Sequence, residues 1–332
     1  MCLRAGRDYR NSVTLSLSPD TTSCFVVDHD LTIPRMGSYL HQNLGGFMCY
    51  ICLKKPRIFN PATRQLVTLP AAIKPIPAPP DEAALKEVQY YFGHDPLTDQ
   101  YKVVCSTGVY LNNPLPVGIR PIRSEHRVFV LKPRGGGGSW KKLAPPTPPS
   151  FLPHIPSHGG VSIDGVIYYL GWINTRRSML VSFHIRSQDF KMIQLPLREE
   201  NVNRVEKVSL IEYGGKATIV DQTNLKNKGM LDLWDVDEKK KWSKKTLVLK
   251  PSQLHLVNNT EFSLKGTTQD GKVFLIPKVL VSPFHILSYD LRSNDLRKID
   301  IKGVPEHWFS KDKSTVRVML AEQSESLVSL ET

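Results

Sequence analysis

The sequence predicts an all-β chain, a β-propeller-like ring of kelch-like four-stranded blades, and three observations point there. Helical periodicity is nearly absent from the 332 residues, which read instead as short β-rich runs broken by Gly, Pro, Asn and Asp. A two-part strand signature recurs along the chain. Its period is that of a kelch blade, about 50 residues: Phe183, Trp234 and Tyr289 hold one position in three successive units, 51 and 55 residues apart.

The first part of the signature is a small turn carrying Gly, then an apolar strand. It is found at Gly45-Gly46-Phe47 through residue 51, Asp164-Gly165-Val166 through 170, Gly214-Gly215-Lys216 through 220, and Asp270-Gly271-Lys272 through 276. The second part is a strand, a polar turn and another strand, over 57–69, 128–143, 180–195, 231–249 and 286–301. The second unit opens differently, on Asp95-Pro96-Leu97-Thr98-Asp99-Gln100. Proline presets φ there and aspartate caps its own turn, so a hairpin still results. One short helix is expected, within 81–91. Five units fit between residues 36 and 301, and the flanks supply material for another. Strands at 13–17 and 24–28, paired with strands at 316–320 and 326–330, would close a ring of about six blades and leave no long edge exposed. Residues 1–332 then form a single domain.

A hydrophobic fraction of 40% with 23% charged residues is ordinary for a globular protein, and a chain of this length needs no disulfide or metal staple. The five cysteines, Cys2, Cys24, Cys49, Cys52 and Cys105, are odd in number and sparse, which fits a reduced intracellular setting, nucleus or cytoplasm. Cys49 and Cys52 have C-x-x-C spacing. On a strand, however, residues three apart point to opposite faces, so the two thiols diverge and read as core. No apolar run reaches the roughly 18 residues of a membrane helix, and none follows the charged start, so no membrane partner is expected. Forty-four Lys and Arg against 31 Asp and Glu give a net charge of +13. That excess attracts nucleic acid, acidic proteins or anionic surfaces alike.

Four features invite a chemical reading. Gly135-Gly136-Gly137-Gly138-Ser139-Trp140-Lys141-Lys142 resembles a phosphate-binding loop, but the Lys-Ser or Lys-Thr ending and the following helix are missing, and a flexible hairpin accounts for it. Lys239-Lys240-Lys241-Trp242-Ser243-Lys244-Lys245 interleaves an aromatic ring with basic residues, as nucleic-acid sites do. In the repeat, Trp242 aligns with Trp140 and Phe190 at the start of an outer strand, where a ring covers the sheet, and strand alternation sends the lysines to both faces. His29, His94, His154, His158, His184, His255 and His307 show no ligand spacing on a common element and read as loop or turn residues. The acidic residues fall mostly in hairpin turns, and neither a G-x-S-x-G elbow nor an activated cysteine is visible. The expectation is a protein that is not an enzyme, with no catalytic, cofactor or metal site.

Loop length points to where binding occurs. In a propeller the connections from second to third strand, and from one blade to the next, emerge on one face. Nearly every long segment falls in that set: 70–86, 106–125, 144–158, 171–179, 196–207, 221–229, 250–261 and 302–314. Long loops on a rigid scaffold are where recognition usually resides. Aromatic and Arg side chains are the usual anchors of such surfaces, which singles out Trp172, Arg176, Arg177, His307 and Trp308 as partner-binding residues. Packing within a blade is the other role open to Trp172 and Trp308.

The segment Ile58-Phe59-Asn60-Pro61-Ala62-Thr63-Arg64-Gln65, ending at Leu69-Pro70, resembles the N-P-x-T-x-Q and L-P signature of plant F-box-associated domains. Further segments agree in order: Tyr91-Phe92-Gly93-His94-Asp95-Pro96 through Gln100-Tyr101-Lys102-Val103-Val104, Arg127-Val128-Phe129-Val130-Leu131 with Ser139-Trp140-Lys141, Ile163-Asp164-Gly165-Val166-Ile167-Tyr168-Tyr169-Leu170, 211–233 with Gly214-Gly215-Lys216, and Trp242-Ser243-Lys244-Lys245. The resemblance covers roughly 20–301 and is closest to the type 3 associated domain. It implies a β-propeller that captures target proteins, while an N-terminal F-box docks to the Skp adaptor of an SCF ubiquitin ligase whose chemistry belongs to other subunits. Nothing before Met36 reads as an F-box, and the first Trp is Trp140. The expected partner is thus an unidentified target protein at the long-loop face, recruited or sequestered, with the Skp adaptor and cullin joining only where an F-box is supplied elsewhere. A basic nucleic-acid-binding β module is the alternative.

Overall fold

The protein was described from a computed structural model, covering residues 2–5, 13–21, 24–34, 39–52, 54–72, 86–110, 121–131, 138–144, 151–174, 177–196, 207–237, 241–268, 271–279 and 282–304. Its strands, in chain order, begin with β1 (Cys2–Ala5), β2 (Val13–Thr21) and β3 (Cys24–Pro34). Sheet one follows as β4 (Tyr39–Leu44), β5 (Phe47–Cys52), β6 (Lys55–Asn60) and β7 (Gln65–Thr68). Sheet two is β8 (Lys86–Asp95), β9 (Gln100–Tyr110), β10 (Ile122–Val130) and β11 (Lys141–Leu143); sheet three is β12 (Ile155–Ile163), β13 (Val166–Trp172), β14 (Ser178–His184) and β15 (Phe190–Gln194). Sheet four is β16 (Val208–Tyr213), β17 (Lys216–Asp221), β18 (Met230–Val236) and β19 (Trp242–Val248), and sheet five is built on β20 (Phe262–Thr267), β21 (Lys272–Pro277), β22 (His285–Asp290) and β23 (Asp295–Lys302).

The fold class is that of a β-propeller, as the repeat predicts, with each sheet an antiparallel meander. Five sheets are seen among the described residues instead of about six. The reason lies in the N-terminal strands: β3 runs parallel to β23, with Cys24, Phe25 and Val26 opposite Asp300, Ile301 and Lys302, so β1–β3 extend sheet five to seven strands and form no blade of their own. The C-terminal strands expected at 316–320 and 326–330 lie outside the described residues. Strands β4–β15 make one compact unit, and β1–β3 with β16–β23 make another.

The two-residue turns explain why the hairpins close where the sequence places them. Asp164 and Gly165 have φ of 45° and 77°, and Gly214 and Gly215 have 60° and 75°. Two successive positive φ values give the turn whose twist matches paired strands. The helix expected within 81–91 does not form over its described part. Residues 86–91 belong to β8, paired with β9 from Lys86 opposite Val109 to Asp95 opposite Gln100, and tertiary pairing overrides the local helical tendency.

Register also corrects the repeat. Phe183 faces Ile167 and Tyr289 faces Val273, each the second residue after its hairpin turn. Trp234 faces Ile219, the fourth residue after Gly215, so it sits two rungs away. The residue that shares the Phe183 position is Val236, 53 residues from both Phe183 and Tyr289. Trp234 is accordingly half-buried where the other two rings are fully buried.

Polar clamps tie neighbouring sheets of the first unit. Gln42 donates through Nε2 to the Phe92 carbonyl at 2.6 Å and accepts the Phe92 N–H through Oε1 at 2.9 Å, imitating a ladder rung between sheets one and two. Arg186 donates through Nε and Nη2 to Asp95 at 3.0 and 2.9 Å, and Lys102 Nζ donates to the Ile185 carbonyl at 2.8 Å. The guanidinium holds the Asp95 carboxyl well below the usual carboxylate range. Cys49 and Cys52 are buried free thiols on β5, and burial pushes the Cys49 thiol up to about 12. Among the described residues no helix is long and apolar enough to cross a membrane.

Candidate protein-binding face

Successive connections of an antiparallel meander emerge at opposite ends of its strands. At one end the links are short: 45–46, 61–64, 96–99, 164–165, 185–189, 214–215, 237–241, 268–271 and 291–294, with 131–140 the one longer case. The other end carries 111–121, 173–177, 222–229 and 278–284 between second and third strands, and 69–85, 144–154, 195–207 and 249–261 between sheets. At that end 53–54 and the five-residue 173–177 are as short as the links opposite, and the others are longer.

In sheet three this end displays two of the residues singled out by sequence. Trp172 closes β13, opposite Ile155 on one side and Ser178 on the other, and is half-buried. Arg177 is exposed and held by its neighbours: its N–H donates to Asn174 Oδ1 at 2.7 Å, its carbonyl accepts the Ile173 N–H at 3.0 Å, and its Nη2 donates to Gln194 Oε1 at 3.1 Å. The backbone turn is thereby fixed while the guanidinium stays at the surface. Arg176, His307 and Trp308 lie outside the described residues.

Beneath the same connections lies a buried pair of imidazoles that sequence reasoning missed. His126 on β10 and His154, just before β12, stack with ring centroids 5.3 Å apart, enclosed by Phe151 and Phe190. His154 does sit on a loop, as its surroundings suggest, but it is fully buried. Its Nδ1 is 3.0 Å from the Leu152 carbonyl and must donate, which leaves Nε2 to accept from the Tyr169 hydroxyl at 3.0 Å. Neither nitrogen of His126 has a hydrogen-bond partner among the described residues. Burial drives both rings toward the neutral form, His126 to about 3 and His154 to about 4. The strand parity that sends Val128 into the core sends His126 there too, and that was the available signal.

In the second unit the same end forms a small open cleft lined by Lys207, Gln222, Leu225, Lys226, Thr260, Glu261, Phe262 and Lys278. Backbone bonds build it. The Gln222 N–H donates to the Lys207 carbonyl at 2.8 Å, pinning the link after β17 to the start of β16. A single helical turn, α1 (Leu225–Lys228), follows and stops at Gly229, whose φ of 61° lets its N–H reach the Leu225 carbonyl at 2.9 Å. The Lys278 N–H donates to the Glu261 carbonyl at 2.8 Å, and the two side chains pair at 3.6 Å.

Of the basic run, Lys241 to Lys245 lie toward the opposite, short-turn end of sheet four, and Lys239 and Lys240 fall outside the described residues. Lys244 there is paired with Asp232 at 2.8 Å and lies 5.2 Å from the centre of the Trp234 ring. Trp140 caps sheet two as the alignment suggests, packing on Tyr90 and Phe129 and donating through Nε1 to the Pro70 carbonyl at 2.8 Å. Among the described residues no three His, Cys, Asp or Glu side chains stand together as a metal-binding group.

Comparison with known proteins agrees with this architecture. Residues 1–323 match the model of the F-box associated beta propeller domain. An F-box/LRR-repeat protein of Arabidopsis thaliana is 44% identical over 341 residues, spanning all of this chain and 76% of the relative. An F-box protein of the same plant is 42% identical, over all of this chain and 79% of its own length, and an F-box/kelch-repeat protein is 38% identical over 86% and 68%. The chain thus spans about three quarters of the first two. Among solved structures, Trypanosoma rangeli sialidase is similar at a TM-score of 0.45 with 11% identity, over 87% of this chain and 52% of the enzyme, a likeness too distant to support any inference.

Proposed function

This chain belongs to the F-box associated β-propeller family, and on that premise we propose that it is a non-catalytic recognition module that captures a target protein for an SCF ubiquitin ligase. Capture takes place on the long-connection ends of the sheets, with Trp172, Arg176, Arg177, His307 and Trp308 among the contacts. In a polypeptide that carries an F-box, the Skp adaptor and cullin join through that segment, and the propeller supplies the choice of target. Without one, the module sequesters its target. The whole chain works as a single domain in the nucleus or cytoplasm.

One observation carries this reading: within each unit the strands carry tight turns at one end and most of the longer connections at the other, which is how scaffolds present recognition loops. Arg177, fixed through its backbone and exposed through its guanidinium, has the form of a preorganised contact.

Proximity labelling from the full chain in plant cells tests it. A discrete set of proteins should be recovered that survives nuclease treatment and is lost on combining Trp172→Ala with Arg177→Glu. Recovery that depends on nucleic acid, or that ignores those two substitutions, would overturn the assignment.

A further inference from the structure

We propose that the cleft lined by Lys207, Gln222, Lys226 and Lys278 binds an acidic side chain, Asp or Glu, of the captured protein; the inference deepens the target-capture reading and rests on it. Its charge is the first reason. Lys278 is offset by Glu261 at 3.6 Å, whereas Lys207 and Lys226 enter no ion pair with any described residue, so the lining keeps a net positive charge. Two half-buried lysines beside one recess favour an anion.

Gln222 is the second and independent reason. It is 5% exposed, and its Oε1 is buried without a hydrogen-bond partner, although a buried polar atom is normally satisfied. Its Nε2 lies 3.3 Å from Ser209 Oγ. A hydroxyl donates as readily as it accepts, so the amide can turn over: Oε1 then accepts from Ser209, and Nε2 is left with unpaired donors in a side chain that lines the cleft. A carboxylate satisfies that arrangement in full, accepting from Gln222 while flanked by the lysines. Leu225 and Phe262 give apolar walls for the methylene groups of the same side chain.

A protein carboxylate fits better than a nucleic-acid backbone. Strand-binding sites track phosphates along a continuous basic groove with stacking rings. Here the cations surround one recess, while Lys241, Lys244 and Lys245 beside Trp242 lie toward the other end of the strands, with Lys244 already paired to Asp232.

Fluorescence anisotropy with the full chain and a labelled 12-residue Glu-Ser peptide tests this, against its Gln-Ser counterpart and an oligothymidylate of equal charge. The Glu peptide should bind on the order of tenfold more tightly than the Gln peptide. Lys207→Gln with Lys226→Gln should remove on the order of tenfold of that affinity at an unchanged melting temperature. Gln222→Leu should weaken it about threefold. Gln222→Glu keeps the shape and the Ser209 bond, and should abolish binding even if the leucine variant folds poorly. Equal binding of both peptides, indifference to the lysine pair, or preference for the oligothymidylate that the same variants abolish would overturn the proposal. Partner capture in cells that ignores Lys207 and Lys226 would remove the cleft and leave target capture standing. Peptide binding without any captured protein would do the reverse.

Discussion

The core between sheets four and five is aliphatic, whereas the core between sheets two and three is aromatic and polar. The first gathers Val220, Leu231, Leu233, Val273, Leu275 and Leu287, with Tyr289 among the few rings. The second gathers Tyr91, Tyr169, Phe151, Phe183 and Phe190 around His126 and His154, with Tyr91 and Tyr169 stacked at 4.2 Å. Aliphatic packing is non-directional and indifferent to protons. A core of imidazoles and phenols depends on specific hydrogen bonds and on the neutral state of its histidines, so the two units should respond differently to the same perturbation.

The sharpest break in that comparison is removal of a ring. Phe183→Ala should cost about 3–5 kcal/mol and Leu287→Ala about 2–5 kcal/mol. Hydrogen exchange during urea titration should place the first loss around sheets two and three and the second around sheets four and five.

Acid comes next. His126 and His154 are neutral in the fold, at about 3 and about 4, yet take up protons near 6.5 once unfolded. The unfolded chain therefore binds more protons, and stability falls as pH drops from 7 to 5, by about 2 kcal/mol for each ring. The loss should appear in the aromatic unit. The only described histidine in the other unit held below its ordinary range is His285, and it is partly exposed. His126→Phe removes a titrating ring that bonds to nothing described, so it should recover about 2 kcal/mol at pH 5 and cost little at pH 7. A melting temperature that follows pH identically in wild type and variant would dissolve the contrast.

Tyrosine hydroxyls sharpen it on a smaller scale. Tyr169→Phe leaves His154 Nε2 buried without its donor and should cost about 1–3 kcal/mol. Tyr289→Phe frees only Asn294, which still donates to the Val248 carbonyl, and should cost about 0.5–1.5 kcal/mol. The smallest effect belongs to the surface: Arg177→Ala should stay within about 0.5 kcal/mol in denaturant titration, although it should weaken target capture.

The hairpins were legible because their cause is local. Asp164-Gly165 and Gly214-Gly215 turn as their composition requires, and the strands after them start where expected and run one or two residues further. Trp234 misled because spacing alone cannot register a two-residue difference in strand length, while pairing with Ile219 can. Residues 86–91 misled because their pattern suits either element, and only the partner strand β9 decides between them. Trp172 and Arg177 are singled out by residue type and loop length, and both stand at the long-connection end of sheet three. The cleft is not singled out, since Lys207, Gln222 and Lys278 carry no common motif.

The sequence by itself determined the strand segments, their tight turns and the end at which long connections collect. These are properties of period-2 alternation and turn chemistry, written within a few residues of where they act. Tertiary structure alone decided that β3 lies parallel beside β23, that His126 meets His154 across 28 positions, and that four separated connections line one charged recess. Each arises from contacts between residues remote in the chain, and only the packing of one sheet on another brings them within reach.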